Sequence, residues 1–206
     1  MHKLIRFVAL VTLIPLMMGA QAATAVQGPD DLIKQTSEKV LKILKDNKTK
    51  YEQDPDQIYV LVNDIILPHL DFRAMSKLAL GKNWRDANQQ QQERFTEAFK
   101  TMLIRTYSKS LTEYTDQEIE FLPYREPAEG KNTVMVKTQI KQTNGPSIPI
   151  DYRLRFLDNE WKVYDIAIDG ISLVTNYRNS FASDIRKVGM DGLIDKLVEK
   201  YAKTSS

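Results

Sequence analysis

The side chains with the best claim to chemistry are Asp165 and Asp169, in the stretch WKVYDIAIDG. On a strand, residues four apart point to the same side, so both carboxylates could face one cavity, where burial would raise one pKa towards that of a general base. Their parity argues against this. The two aspartates alternate with Tyr164, Ile166 and Ile168, so if those apolar residues face the interior the carboxylates lie outside it. The other candidate is His69, beside the helix breaker Pro68. The chain has no cysteine, and its one other histidine, His2, lies at the amino terminus, so His69 makes a poor metal site and reads as a structural or surface histidine. There is no G-x-S-x-G elbow, P-loop or dinucleotide fingerprint. No catalytic residue, metal ligand or cofactor is expected.

Around the two aspartates, Trp161, Val163, Tyr164, Ile166 and Ile168 have the β-branched and aromatic make-up of a half-buried strand. After Gly170 the period changes. Val174, Tyr177, Phe181, Ile185 and Val188 recur every three or four residues, which predicts a helix from about Ile171 and makes Gly170 the pivot between strand and helix. Three more strands are expected before this one: Ile119 to Tyr124, a strand around Val134 to Ile140, and a strand with Ile148, Ile150, Tyr152, Leu154 and Phe156 on one face. Asn144-Gly145 marks a hairpin between the last two.

The first half reads as helical. Pro29 suits a first helical position, with Ile33, Val40 and Leu44 as a buried stripe up to about Asn47. Lysines 34, 39, 42, 45, 48 and 50 form a solvated face or a docking face for an acidic partner or an anionic membrane. A second helix through Ile58, Leu61, Val62, Ile65 and Ile66 ends near Pro68. Asp71 caps a short third, and the longest runs from about Asp86 to Tyr114, with Gln89 to Gln92 as an exposed first turn. A last helix follows Gly189 and Gly192. Helices, then an antiparallel meander of about four strands, then helices again define an α+β domain with one sheet face covered.

Residues 1–22 are read as a cleavable export signal: Lys3 and Arg6, an apolar run from Phe7 to Met18, and the small-x-small pattern Ala20-Gln21-Ala22. Residues 23–206 then form one domain. The signal carries two of the 29 basic side chains and none of the 27 acidic ones, so the domain balances at 27 of each sign. Such a neutral domain has no general attraction for nucleic acid.

The apolar inventory says more than the polar one. One sheet face offers Val134, Val136, Ile150, Tyr152, Leu154, Phe156, Ile166 and Ile168, and the helices offer Phe72, Met75, Phe95, Phe99, Met102 and Tyr177. Periodicity alone leaves open whether they fill a core or line a cavity, although a sheet cupped by helices can enclose an apolar pocket.

Two segments decide the matter: LGKNWRDANQQQQERFTEAFKTMLIRTY (Leu80 to Tyr107) and WKVYDIAIDGISLVTNYRNSFASDIRKVGMDGLIDKL (Trp161 to Leu197). They strongly resemble the MlaC family of periplasmic phospholipid-binding proteins, also called toluene-tolerance or auxiliary-transport proteins, over roughly residues 27 to 203. The resemblance implies a nuclear-transport-factor-like cone with added helices, located in the Gram-negative periplasm. It implies a soluble shuttle that maintains outer-membrane lipid asymmetry and holds the acyl tails of a glycerophospholipid in an apolar cavity. Its implied partners are an outer-membrane lipoprotein associated with porin and an inner-membrane ABC transporter bearing an MCE-domain protein. The strand-to-helix corner then becomes a cavity wall, with Tyr164, Ile166 and Ile168 from the sheet and Val174, Tyr177 and Phe181 from the helix. The readings that compete with a carrier are an isomerase or hydrolase on a related cone, and a periplasmic adaptor with a filled core.

Overall fold

The computed structural model describes residues 26–114, 117–126, 130–142 and 145–202. The expected export signal and Asn144 lie outside these. Helix α1 (Pro29–Asp46) starts as its sequence dictates, with Pro29 in the first turn and Asp30 and Asp31 complementing the helix dipole. Short helices α2 (Lys48–Gln53) and α3 (Gln57–Leu61) follow. The expected second helix does not run on to Ile66: it widens into a π-helical turn over Val62–Ile66 and tightens into a 3-10 turn over Leu67–His69, where Pro68 cannot continue the α ladder.

Asp71 is buried and caps α4 (Phe72–Leu80), accepting a hydrogen bond from the Ala74 amide at 2.9 Å. The long helix is shorter than its pattern suggested. Asn83–Asp86 is a separate turn, α5, and α6 spans Gln89–Tyr107 with a 3-10 turn beyond it. The glutamine run is what divides them. Asn88 and Gln91 form a reciprocal capping box, and Gln92 Nε2 donates to the carbonyls of Trp84 and Ala87 at 2.9 and 3.2 Å.

Strands β1 (Glu118–Phe121), β2 (Thr133–Lys141), β3 (Ile148–Leu157), β4 (Glu160–Ile168) and β5 (Ile171–Ser172) form one antiparallel meander, each paired with the next in chain order. The fifth strand overturns the expected corner. Asp169 and Gly170 have φ of 50° and 77° and make the tight turn of a β4–β5 hairpin, a left-handed conformation that glycine adopts without strain. The final helix α7 (Arg178–Ala202) begins seven residues later than the period suggested, after a 3-10 turn at Thr175–Tyr177. Gly189, at φ 76°, breaks α7 into two segments.

A second departure lies inside β4. Arg153 faces Asp165 but Leu154 faces Val163, so Tyr164 is an extra, unopposed residue and the strand changes parity there. Trp161 and Val163 therefore share the inner face with Ile166 and Ile168. The N-terminal half of β4 is flanked by Leu70, whose neighbour Asp71 donates its amide to the Val163 carbonyl at 2.8 Å.

Three apolar clusters result. The first joins α4, α6 and α7 around Phe95, Phe99, Met102, Val174 and Phe181. The second joins α1, α2 and α3 around Leu44, Tyr51 and Ile58. The third lays Leu32 and Ile33 of α1 on Val136, Leu154 and Val163 of the sheet.

Candidate functional site

Between α1 and the inner face of the sheet lies a cavity of about 430 Å³. The chain leaves it open because α1 and the sheet touch at one end, through Leu32, Ile33, Leu154 and Val163, while the rest of α1 packs on α2 and α3. The π-helical turn contributes Val62 and Ile66, and α6 contributes Leu103, Ile104 and Tyr107. From the sheet come Ile140, Ile148, Ile150, Tyr152, Ile166 and Ile168. Ile168 lines the cavity and is still 37% exposed, so the cavity meets solvent at this end of the sheet.

Among the described residues, the lining carries no carboxylate, lysine or arginine. Its ionisable side chains among these residues are His69, Tyr107 and Tyr152. Burial, and after it the neighbouring Lys162, hold the His69 imidazole below its ordinary pKa, against a smaller opposing effect from Glu160. Burial pushes the Tyr152 hydroxyl up, opposed by the hydroxyls of Thr138 and Ser37. The Tyr107 hydroxyl stands 3.0 Å from that of Tyr177, whose own pKa is raised by burial and by this hydrogen bond. A predominantly apolar chamber of this size suits an aliphatic ligand.

Of the residues expected at the site, Phe72, Met75, Ile150, Tyr152, Ile166 and Ile168 line the cavity. The others do not. Phe95, Phe99, Met102, Val174, Tyr177 and Phe181 belong to the filled helical core, where the Phe95 ring stacks on Phe99 at 5.5 Å and both meet Phe181 edge-on. A helix face that is apolar enough to line a cavity is equally suited to filling a core, and here a neighbouring helix covers it. Val134, Val136 and Leu154 lie under α1 at the closed end. Phe156 pairs with Trp161, ring centres 5.2 Å apart. Tyr164 is the bulged residue and sits outside the lining, its place taken by Val163.

The wall that the sequence reading left out is α1 itself. Its inward stripe is interrupted by Thr36 and Ser37, and two hydroxyls on a buried face are the signal that could have marked it as a cavity wall.

Asp165 lies on the opposite side of the sheet, fully buried, taking a hydrogen bond from Ser172 Oγ at 2.7 Å and facing Arg153 at 3.4 Å. Asp169 is exposed in the hairpin turn. The two carboxylates do not converge on one space.

A family profile described as MlaC protein matches residues 34–199. The chain is 31% identical to a toluene tolerance protein of Pseudomonas putida over 86% of its own length and 81% of that protein's. It is 25% identical to the intermembrane phospholipid transport system binding protein of Haemophilus influenzae over 96% of its own length and 93% of that protein's. Among solved structures, it is similar to a phospholipid-binding protein of Ralstonia solanacearum in complex with a phospholipid. That likeness has a TM-score of 0.77 and 31% identity, and covers 87% of this chain and all of the other.

Proposed function

The chain belongs to the MlaC family, and from that premise we propose that it is a phospholipid carrier that holds acyl tails between α1 and the sheet. The observation that carries this reading is the uncharged cavity of about 430 Å³, open near Ile168, in a fold shared with a protein solved with phospholipid bound. Phe72, Met75, Ile150, Tyr152, Ile166 and Ile168 are its proposed tail contacts, joined by Leu41 and Ile66 from the helical wall.

The energetics explain why such a cavity is needed. Two acyl chains of about 15 CH₂ groups each, at about 0.8 kcal/mol per group, make free exposure to water cost on the order of 20 kcal/mol. A cavity with the polarity of a bilayer interior removes most of that cost, so transfer between membrane and protein lies near equilibrium. Escape into water stays slow. Loading and release therefore take place at docked partners, and the chain's own task is to bind, shield and present the lipid, without a catalytic group.

In this reading residues 1–22 direct export to the periplasm. The carrier moves between an outer-membrane lipoprotein–porin complex and an inner-membrane ABC transporter with an MCE-domain protein, and so maintains lipid asymmetry. The test is incubation of the delipidated chain with phospholipid vesicles, re-isolation and native mass spectrometry. A mass increase of one phospholipid per chain is expected; a chain that stays lipid-free overturns the proposal.

A further inference from the structure

Among the described lining residues, His69 is the one whose ordinary pKa lies between about pH 5 and 8. It closes the 3-10 turn Leu67–His69 and lines the chamber beside Leu67, Leu70 and Val163. The turn is fixed at the edge of β4, because Leu70 bridges to Val163 and Asp71 donates its amide to the Val163 carbonyl. The charged groups around the imidazole are mostly basic. Lys162 Nζ donates to the Pro68 carbonyl at 2.7 Å, one residue from His69, and pairs with Glu160 at 2.5 Å. Lys39 of α1 adds a second positive charge to these surroundings. Asp71, the cap of α4, has its carboxylate committed to Arg155 of β3. An imidazolium here therefore meets two ammonium groups against one carboxylate, Glu160, which already has a partner.

Resting on the carrier reading above, we propose that His69 is a proton-operated release switch: protonation of its imidazole puts a cation into the wall of the tail chamber and drives the phospholipid out. The empty chamber holds water that can solvate a charged ring. An acyl tail laid along the lining displaces that water and leaves the ring against hydrocarbon, where the charged form is far costlier than the neutral one. Tail binding thus disfavours protonation of His69. By linkage, protonation of His69 disfavours tail binding to the same degree. Lys162 sets the pH at which this happens, because its ammonium is anchored beside the ring by the Pro68 carbonyl and opposes a second positive charge. Glu160 acts in the opposite sense and more weakly.

The test is a pH series from 7.5 to 4.5 in which the delipidated full chain is equilibrated with phosphatidylcholine vesicles, whose own net charge stays at zero over this range. Bound lipid is read by native mass spectrometry per folded chain, with the folded fraction taken from circular dichroism at each pH. The wild type should bind about fivefold less lipid at pH 4.5 than at pH 7.5, within the tenfold that a one-unit shift of one imidazole allows. For His69→Gln the ratio of the two values should be about one. Lys162→Gln, which removes the nearby ammonium and leaves Glu160 without it, should move the midpoint of release to higher pH. A wild type that holds lipid equally across the series overturns the inference while the carrier reading stands. So does an undiminished fall in His69→Gln, or a midpoint that Lys162→Gln leaves in place or lowers. Absence of lipid uptake by the wild type at pH 7.5 overturns the carrier reading, and the inference with it.

Discussion

Ser172 donates its hydroxyl proton to Asp165 Oδ1 at 2.7 Å, on the sheet face that the cavity does not touch. The same Ser172 oxygen accepts the Thr175 amide at 3.0 Å, so one buried carboxylate ties β4, β5 and the 3-10 turn before α7 together. This gives Asp165 a structural task and predicts how its loss behaves. Asp165→Ala should lower stability by about 1–3 kcal/mol, the cost of orphaning buried hydrogen-bond partners, with Arg153 free to turn to water. Urea denaturation measures that loss. Lipid uptake per folded molecule should match wild type.

The contrast between chamber and core can be tested with two substitutions. Ile166→Trp places an indole in the cavity and should leave the fold intact while weakening phospholipid uptake about tenfold, the equivalent of about 1.4 kcal/mol. Phe99→Ala, in the filled core with Phe95 and Phe181, should cost about 3–5 kcal/mol of stability and leave uptake by the folded fraction unchanged. Paired vesicle-uptake and urea titrations on the two variants separate these effects.

How far the sequence could be read follows from the same residues. The alternation of Ile150, Tyr152 and Leu154 determined the inner face of β3, and it holds in the structure. Alternation has no way to display an extra residue, so the bulge at Tyr164 was invisible and Tyr164 was counted with Ile166 and Ile168 on the inner face, where Val163 stands instead. Asp169-Gly170 is a hairpin dipeptide, but the strand after it is two residues long, and the helical period from Val174 to Val188 masked it. At the site, the period of α6 marked Phe95, Phe99 and Met102 as inward without saying what lies inside. Whether an apolar face meets another helix or empty space is a tertiary property. Thr36 and Ser37 carried the missing local signal.

The hairpin turn makes its own prediction. No neighbouring atom lies within 4 Å of where a Gly170 side chain would begin, so Gly170→Ala carries only the backbone penalty of a left-handed φ. It should lower stability by about 1 kcal/mol, read as a reduced urea midpoint.

His69 predicts a pH dependence with a definite sign. Its folded pKa lies below the unfolded value, so the unfolded state binds more protons between the two and stability rises with pH. The stability supported by neutral His69 is present above about pH 6.5 and is lost as the pH falls through the folded value. Urea midpoints at pH 7.5 and pH 5.0 should differ less for His69→Gln than for the wild type, on the scale of a single imidazole titration.

In the carrier proposed above, a lipid tail occupies the space between α1 and the sheet. This occupancy is tested most directly by loading the chain with a phospholipid that carries a diazirine in its acyl tail, irradiating it, and mapping the adducts by peptide mass spectrometry. Adducts are expected in Pro29–Asp46 and Glu160–Ile168, among the residues that face the cavity. Adducts confined to the outer sheet face or to the α6–α7 core would contradict it.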